Sequence, residues 1–162
     1  MKVQKTGTST EMDEKKSLTE KNKSLVTRAV KEIWNEGNYN NLEEFISADF
    51  VAYSSSPGEE DVHGYEGAKY YFTQLRNAFP DLHFTITDQI AEGDKVVTHW
   101  TASGTHKGEF KGIPPTGKKF AVTSIDIERI VDGKVTECWA NMDELGLLQQ
   151  LGVIPASGQS RP

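Results

Sequence analysis

Apolar residues recur at helical spacing in the first part of the chain. The longest such stretch runs from about Thr19 to Gly37, and its apolar residues, spaced three or four apart, are Leu25, Val26, Ala29, Val30, Ile33 and Trp34. A short second stripe ends near Ala48, and a third covers residues 68–78 before Phe79-Pro80 stops it. The pattern predicts three amphipathic helices, with a short strand at 50–53 between the second and the third.

From Leu82 to Met142 apolar and polar residues alternate, which predicts β-strands. Four strands are expected, at about 82–87, 96–101, 120–130 and 135–142. Glycine-containing turn sequences at 92–94 and 131–134 favour tight hairpins, so successive strands should pair as an antiparallel meander. A last helix is predicted after Asp143, which would cap it, and before Gly152. This order predicts an α+β domain, with helices on one face of a bent sheet and a pocket between the layers.

The ends of the chain differ from its middle. Residues 1–18 are polar and of mixed charge, so we expect a disordered N-terminal tail. The remaining length suits a single domain over residues 19–155, followed by a flexible C-terminal tail over 156–162.

Charge and composition narrow the range of partners. The net charge of −6 and the sequence pI of about 5.2 argue against nucleic acid and anionic membranes as partners. Neither a membrane-spanning apolar run nor a secretory signal is visible. Cys138 is the only cysteine, which suits a reducing compartment. We therefore expect a cytoplasmic location, although a chain that had lost an export segment would show the same sequence.

The stretch 104–118, GTHKGEFKGIPPTGK, joins two predicted strands and concentrates four glycines and two prolines. Such a loop either shapes a site or is a rigid, inert hairpin connection. His106 opens it, where it could exchange a proton at the pocket mouth or simply serve as a surface or backbone-bonded residue.

Asp126 lies in the middle of the apolar strand FAVTSIDIERI, on the same face as Phe120, Val122, Ser124 and Ile130. Two interpretations are open. The carboxylate could belong to an exposed polar stripe with Glu128, or it could be buried in a pocket that raises its pKa and makes it a general-base candidate.

Other kinds of site receive little support. The four histidines lack metal-ligand spacing, so we predict no metal. No phosphate-binding glycine motif occurs, so no nucleotide cofactor is expected, and Cys138 has no adjacent histidine that would activate it as a nucleophile.

Three sequence runs carry a resemblance: GTHKGEFKGIPPTGKKF, SIDIERIVDGKVTECWANMD and LGLLQQLGVIP. Together with WNEGNYNNLEEFISADFV and GYEGAKYYFTQLRNAFPDLHF, they resemble the SnoaL-like polyketide cyclases of the nuclear transport factor 2 like superfamily, over about residues 22–155. The resemblance implies a cone-shaped α+β roll, in which a curved antiparallel sheet wraps the N-terminal helices around a deep hydrophobic pocket. It also implies a homodimer or a higher oligomer, with a homodimer favoured.

The resemblance further implies intramolecular aldol chemistry without metal or cofactor, on a hydrophobic carbonyl compound. Asp126 would be the general base, with His106 as its partner or as an acid. The residues assigned to the pocket are His99, Arg129, Trp139, Trp34 and His63; for Asp143 a helix cap is favoured over catalysis. The alternatives are a non-catalytic small-molecule-binding protein, a dehydratase or isomerase on the same scaffold, and a dimeric interaction module whose pocket is filled by its own side chains.

Overall fold

The first helix, α1, runs over Gly7–Ala29 and continues as a π-helical turn over Val30–Asn35. The structure is a computed structural model that describes residues 7–55 and 58–155. The helix therefore begins well before Thr19, and residues 7–18, which the sequence predicted to be disordered, form its first part. Met12 and Leu18 in this part of the helix are 71% and 49% exposed, so these apolar side chains pack little against the domain. The sequence therefore shows no apolar stripe here that would predict a helix. The predictions for residues 1–6 and 156–162 lie outside the described residues.

The other helices follow the predicted order. A 3₁₀ turn over Tyr39–Asn41 precedes the short helix α2 over Leu42–Phe45, and α3 spans Gly64–Ala78. Helix α4 covers Glu144–Leu151. Its caps are those that the sequence predicted: the Asp143 carboxylate accepts a hydrogen bond from the backbone N–H of Gly146 at 2.8 Å, and Gly152 takes the left-handed conformation with φ of 77°.

Six strands form one sheet in the described part of the chain. They are β1 (Ile46–Tyr53), β2 (Val62–His63), β3 (His83–Glu92), β4 (Lys95–Thr105), β5 (Lys119–Val131) and β6 (Lys134–Met142), arranged in the order β2-β1-β6-β5-β4-β3. The predicted antiparallel meander from β3 to β6 is confirmed. Strand β1, however, pairs in parallel with β6, so the sheet is mixed. A parallel pair needs a long crossover, and the chain from α3 to β5 supplies it.

The helices cover one face of the curved sheet, and the buried apolar residues form two clusters there. The aromatic cluster lies beneath the loop that follows β4 and contains Ala78, Phe79, Leu82, Phe84, Trp100, Ala102, Phe110, Phe120, Val122, Leu147 and Leu151. The aliphatic cluster lies toward the β5–β6 hairpin and contains Val26, Ile33, Leu42, Phe45, Ile46, Phe50, Ala68, Val96, Ile130 and Val135. Burial of these side chains is the main favourable contribution to folding.

Two polar side chains fasten the end of the π-helical turn to edge strand β3. The amide of Asn35 donates to the carbonyl of Phe84 at 3.0 Å and accepts from the Phe84 N–H at 2.7 Å. The guanidinium of Arg76 donates to the carbonyls of Trp34 and, at 2.7 Å, of Leu82. These bonds hold Trp34 against the inner face of the sheet.

No helix within residues 7–55 and 58–155 is both long enough and apolar enough to cross a lipid bilayer.

Candidate active site

Polar side chains interrupt the inward-facing rows of β4 and β5 between the two apolar clusters. On β5, Val122 belongs to the aromatic cluster and Ile130 to the aliphatic cluster. The inward positions between them are polar, as is one position on β4, and we call these four residues the polar belt: Thr98, Ser124, Asp126 and Glu128. Thr98, Ser124 and Asp126 are 0%, 2% and 7% exposed. Because burying polar groups costs free energy, a belt of this kind between two apolar clusters calls for a functional explanation.

Asp126 is the most deeply placed carboxylate of the belt. The hydroxyl of Ser124 donates to its Oδ1 at 2.7 Å, and the side chain of Trp100 is a second hydrogen-bond partner. Burial raises the pKa of Asp126 to about 6, while the bonds from Ser124 and Trp100 oppose the rise. At neutral pH the group is therefore an oriented carboxylate, more basic than an exposed aspartate. Because the Asp126 side chain is buried, the structure favours an interior carboxylate over membership of an exposed polar stripe.

Glu128 occupies the next inward position on β5. The Thr98 hydroxyl donates to Oε2 of Glu128 at 3.3 Å. Burial raises the pKa of Glu128 to about 8, and the negative charge of Asp126 adds to the rise. The two belt carboxyls thus have their pKa values on opposite sides of neutrality, so around pH 7 one is mainly ionised and the other mainly protonated.

Tyr71 on α3 and Cys138 on β6 border the belt. Burial raises the pKa of the Tyr71 phenol well above its ordinary value, and the charge of Asp126 raises it further. Cys138 pairs with Glu128 across the sheet, and burial, with the charges of Asp126 and Glu128, raises the pKa of its thiol. Both side chains are therefore neutral around pH 7, which makes Tyr71 a hydrogen-bond donor and Cys138 a poor nucleophile.

Comparison with protein-family models matches residues 24–151 to the SnoaL-like polyketide cyclases. The chain belongs to this family.

Two similar proteins from Streptomyces are named as cyclases. The aklanonic acid methyl ester cyclase DnrD of Streptomyces peucetius is 31% identical over 129 residues, which cover 79% of this chain and 88% of the relative. The nogalonic acid methyl ester cyclase of Streptomyces nogalater is 30% identical over 124 residues, covering 74% of this chain and 89% of the relative. Both alignments extend over most of each protein, so the SnoaL-like relationship applies to the domain as a whole.

Solved structures place the fold in the same family. A candidate SnoaL-like polyketide cyclase from Jannaschia sp. CCS1 superposes with a TM-score of 0.77 at 26% identity, covering 85% of this chain and 95% of the other. AclR of Streptomyces galilaeus, a candidate hydroxylase, superposes with a TM-score of 0.74 at 31% identity and 87% coverage of both chains. The cone-shaped nuclear transport factor 2 like fold predicted from the sequence is confirmed.

Three residues that the sequence assigned to the pocket lie on the other face of the sheet. His99, Arg129 and Trp139 stand at positions that alternate with the inward ones, and their neighbours are outward-facing as well. Trp139 stacks on Tyr53 at 5.2 Å between ring centroids, and Arg129 lies over the Trp139 ring and pairs with Glu137 at 3.1 Å. The pocket assignment of these three residues is therefore wrong, because a side-chain period of two places them opposite Asp126.

The two remaining residues assigned to the pocket, His63 and Trp34, lie in different parts of the fold. His63 is exposed on the two-residue edge strand β2 and pairs with Val51 rather than with an inward residue, so its pocket assignment is also wrong. Trp34 lies between the layers, with ring centroids 4.5 Å from Phe72 and 4.6 Å from Phe84, on the same side of the sheet as the polar belt.

His106 and Asp126 are not brought together. Thr105, at the end of β4, pairs with Lys119, whereas Asp126 pairs with Thr98. The seven steps from 119 to 126 correspond to about 23 Å along the strand at about 3.3 Å per residue. The proposed partnership of His106 with Asp126 is therefore wrong in this geometry.

His106 instead anchors the loop after β4. It is 0% exposed and its ring lies 5.4 Å from that of Phe79. Its Nδ1 accepts from the Thr116 N–H at 3.3 Å, and its backbone bonds with Lys118 and Gly117. The ring thus closes the loop onto the aromatic cluster.

We expect His106→Leu to separate the structural role from a catalytic one. Leucine fills a similar volume but cannot bond with Thr116, so unfolding in urea should show a loss of about 1–2 kcal/mol. Turnover of the folded variant, measured well below its melting temperature, should stay within a few-fold of the parent. A loss of 100-fold or more in a folded variant would restore His106 to the chemistry.

Two grooves run along α1, away from Asp126. One of ≈ 360 Å³ is lined by residues that include Thr27, Arg28 and Gln89, and another of ≈ 610 Å³ lies near Leu18 and Gly133.

In the described ranges, no group of three or more His, Cys, Asp or Glu side chains comes together that could hold a metal ion.

The sequence contained a signal for the rest of the belt. Glu128 lies two residues after Asp126 and therefore on the same face of the strand. Thr98 likewise shares a strand face with the apolar residues Val96 and Trp100. What a single sequence could not show is that these strands pair so that the three side chains share one face.

Proposed function

We propose that this protein is a cyclase that catalyses intramolecular aldol addition within a hydrophobic polyketide-like carbonyl compound, with Asp126 as general base. The observation that carries the proposal is a buried, hydrogen-bonded carboxylate with a pKa of about 6, held on the inner face of a SnoaL-like domain. Such a group is ionised at neutral pH and matched to the removal of a C–H proton activated by neighbouring carbonyls.

The surroundings of Asp126 suit a flat, apolar substrate. Trp34 and Tyr71 present aromatic rings on the helix side, 6.5 Å apart between centroids. Tyr71 is 44% exposed, so its side chain is accessible on the helix side of the sheet. Its phenol would donate a hydrogen bond to a substrate carbonyl and so favour the enolate.

Assays with the methyl esters of aklanonic acid and nogalonic acid, the compounds named for two relatives, test the proposal. An aldol addition makes an isomer, so the product has unchanged mass and a new retention time, and in D₂O the acidic carbon gains deuterium faster than in an enzyme-free reaction. The binding alternative predicts an increase in melting temperature with these esters, no product, and no exchange beyond the enzyme-free rate. That outcome, or a mass decrease of one water from a dehydratase, would overturn the proposal.

The proposed assembly is a homodimer formed through the outer face of the sheet. This face carries exposed apolar side chains on its central strands, with Ile125 and Ile127 52% and 37% exposed and Tyr53 36% exposed beside Trp139. Contiguous apolar surface of this kind on a sheet favours association with a second, equivalent face.

Ile125→Lys should convert the dimer to a monomer in sedimentation equilibrium, because the interface would then bury an ammonium group from each protomer. The matched control is Tyr70→Lys on α3, which changes a residue that is 68% exposed and away from the sheet. The control should remain dimeric. An unchanged mass for both variants would place the interface elsewhere.

A further inference from the structure

The second carboxyl of the polar belt has a geometry that a structural role does not require. Glu128 stands one inward position beyond Asp126 on β5, so their Cα atoms are about 7 Å apart. Thr98 lies directly opposite Asp126 on β4, yet its hydroxyl donates to Glu128. The Thr98–Glu128 bond therefore runs diagonally between the two strands, from the position opposite Asp126 to the next inward position on β5.

We propose that Glu128 is a second catalytic residue, the general acid that protonates the oxyanion formed when the new carbon–carbon bond closes. This inference rests on the function proposed for Asp126 and assigns the other half of the proton transfer.

A chain of hydrogen bonds fixes the Glu128 carboxyl. The Gln89 amide donates to the Thr98 hydroxyl at 3.3 Å, and Thr98 in turn donates to Oε2 of Glu128. Gln89 is itself held by a bond from the Thr27 hydroxyl to Oε1 at 3.0 Å. Because Oε2 accepts from Thr98, the proton of the neutral acid is carried by Oε1 in this scheme. Thr98 and Gln89 are positioning residues in this scheme.

The protonation states agree with this assignment. The pKa values of about 6 for Asp126 and about 8 for Glu128 give one base and one acid around pH 7. The titratable groups facing the pair are Cys138 on β6 and Tyr71 on α3, both with raised pKa values and hence neutral there. Strands β3 and β4 contribute the uncharged Gln89 and Thr98, and α1 contributes Val26 to the neighbouring aliphatic cluster.

The atoms balance over one turnover. The Asp126 carboxylate takes a proton from the carbon between carbonyls, and the resulting enolate carbon bonds to the carbon of a second carbonyl. The π electrons of that carbonyl move to its oxygen, which takes the proton of Glu128 and becomes a hydroxyl. Asp126 is then protonated and Glu128 ionised, and transfer of one proton from Asp126 to Glu128 restores both.

The test compares Glu128→Gln with the parent in D₂O, using the same two methyl esters. We expect cyclisation to fall about 100-fold with KM changed only a few-fold, while deuterium exchange at the acidic carbon continues because Asp126 is intact. Glu92→Gln, at the exposed end of β3, is the matched control and should keep parental rates.

The pH dependence of kcat provides a second test, because it would not change if Glu128 had only a structural role. In the parent, kcat should rise with pH through about 6 as Asp126 ionises and fall through about 8 as Glu128 ionises. Glu128→Gln should abolish the alkaline limb. The bond from Thr98 lowers the pKa of Glu128, so Thr98→Val, which keeps the shape, should move that limb to higher pH and remain informative even if the glutamine variant fails to fold.

The outcomes distinguish the two proposals. A parent that neither cyclises nor exchanges either ester defeats the proposed function, and with it the role of Glu128. A parent that cyclises, with a Glu128→Gln variant of equal rate and an unchanged alkaline limb, overturns only the role of Glu128.

Discussion

Asp126→Asn should abolish cyclisation and stabilise the fold at the same time. The amide can still accept the Ser124 hydrogen bond but cannot remove a C–H proton, so kcat should fall by about 10³-fold, within the usual range for a lost general base. Removing the buried charge should raise the free energy of unfolding at pH 7 by about 3 kcal/mol, since each pKa unit corresponds to about 1.4 kcal/mol.

The sign of the stability effect follows from the raised pKa of Asp126. In the unfolded chain an aspartate ionises near pH 4, whereas in the folded protein it does so at about 6. The cost of burying the charge is absent below about pH 4, grows between these values and is complete above about 6. The advantage of Asp126→Asn should therefore appear over this window and vanish in acid.

Urea unfolding across pH 4–8, together with the ester assay, measures both effects. Asp132→Asn in the exposed β5–β6 turn is the matched control, because asparagine tolerates its positive φ of 51° as well as aspartate does. It should change neither property. An active Asp126→Asn variant would eliminate Asp126 as the base.

Gly108→Ala should destabilise the protein by about 3 kcal/mol through a clash at the loop that follows β4. The N–H groups of Lys107 and Gly108 donate to the carbonyl of Ala78, at 2.9 and 3.0 Å, so this loop is docked on the end of α3. A Cβ on Gly108 would lie 2.9 Å from the carbonyl carbon of Asn77 and closer still to its oxygen. Backbone atoms cannot move aside as a flexible side chain would.

Gly112→Ala is the control within the same loop. Gly112 has a φ of 77°, but an added methyl group would meet no other atom within 4 Å, so only backbone strain of about 1 kcal/mol is expected. Urea unfolding of both variants measures the difference. Equal losses would show that the close approach to α3 does not restrict residue 108.

The sequence predicted the fold because its local signals agree with the global arrangement. Alternation from Leu82 to Met142 and the Asp143 and Gly152 caps depend on neighbouring residues, and all were confirmed. The parallel pairing of β1 with β6 was not predictable in this way, because it joins segments more than 80 residues apart that carry no register signal of their own.

The site was predicted less well than the fold. The sequence singled out Asp126 because burying a carboxylate in an apolar strand costs free energy, and the structure shows that its side chain is buried. The prediction for His99, Arg129 and Trp139 was wrong because it rested on residue type. The alternation of side chains along each strand, which places them on the face opposite Asp126, was not applied. His106 was misplaced because a loop rich in glycine and proline gives no sign that its histidine is fully buried.

The Asn35 amide also changes the hydrogen-bonding capacity of the sheet edge at β3. A free sheet edge offers its N–H and C=O groups to strands of other molecules and so promotes intermolecular aggregation. On β3, both outward groups of Phe84 are already engaged by Asn35, as if by one residue of a neighbouring strand. The opposite edge is the two-residue β2, too short to act as a template. Asn35 thus removes one pair of edge groups near the start of β3 from pairing with strands of other copies of the chain, and the shortness of β2 limits such pairing at the other edge.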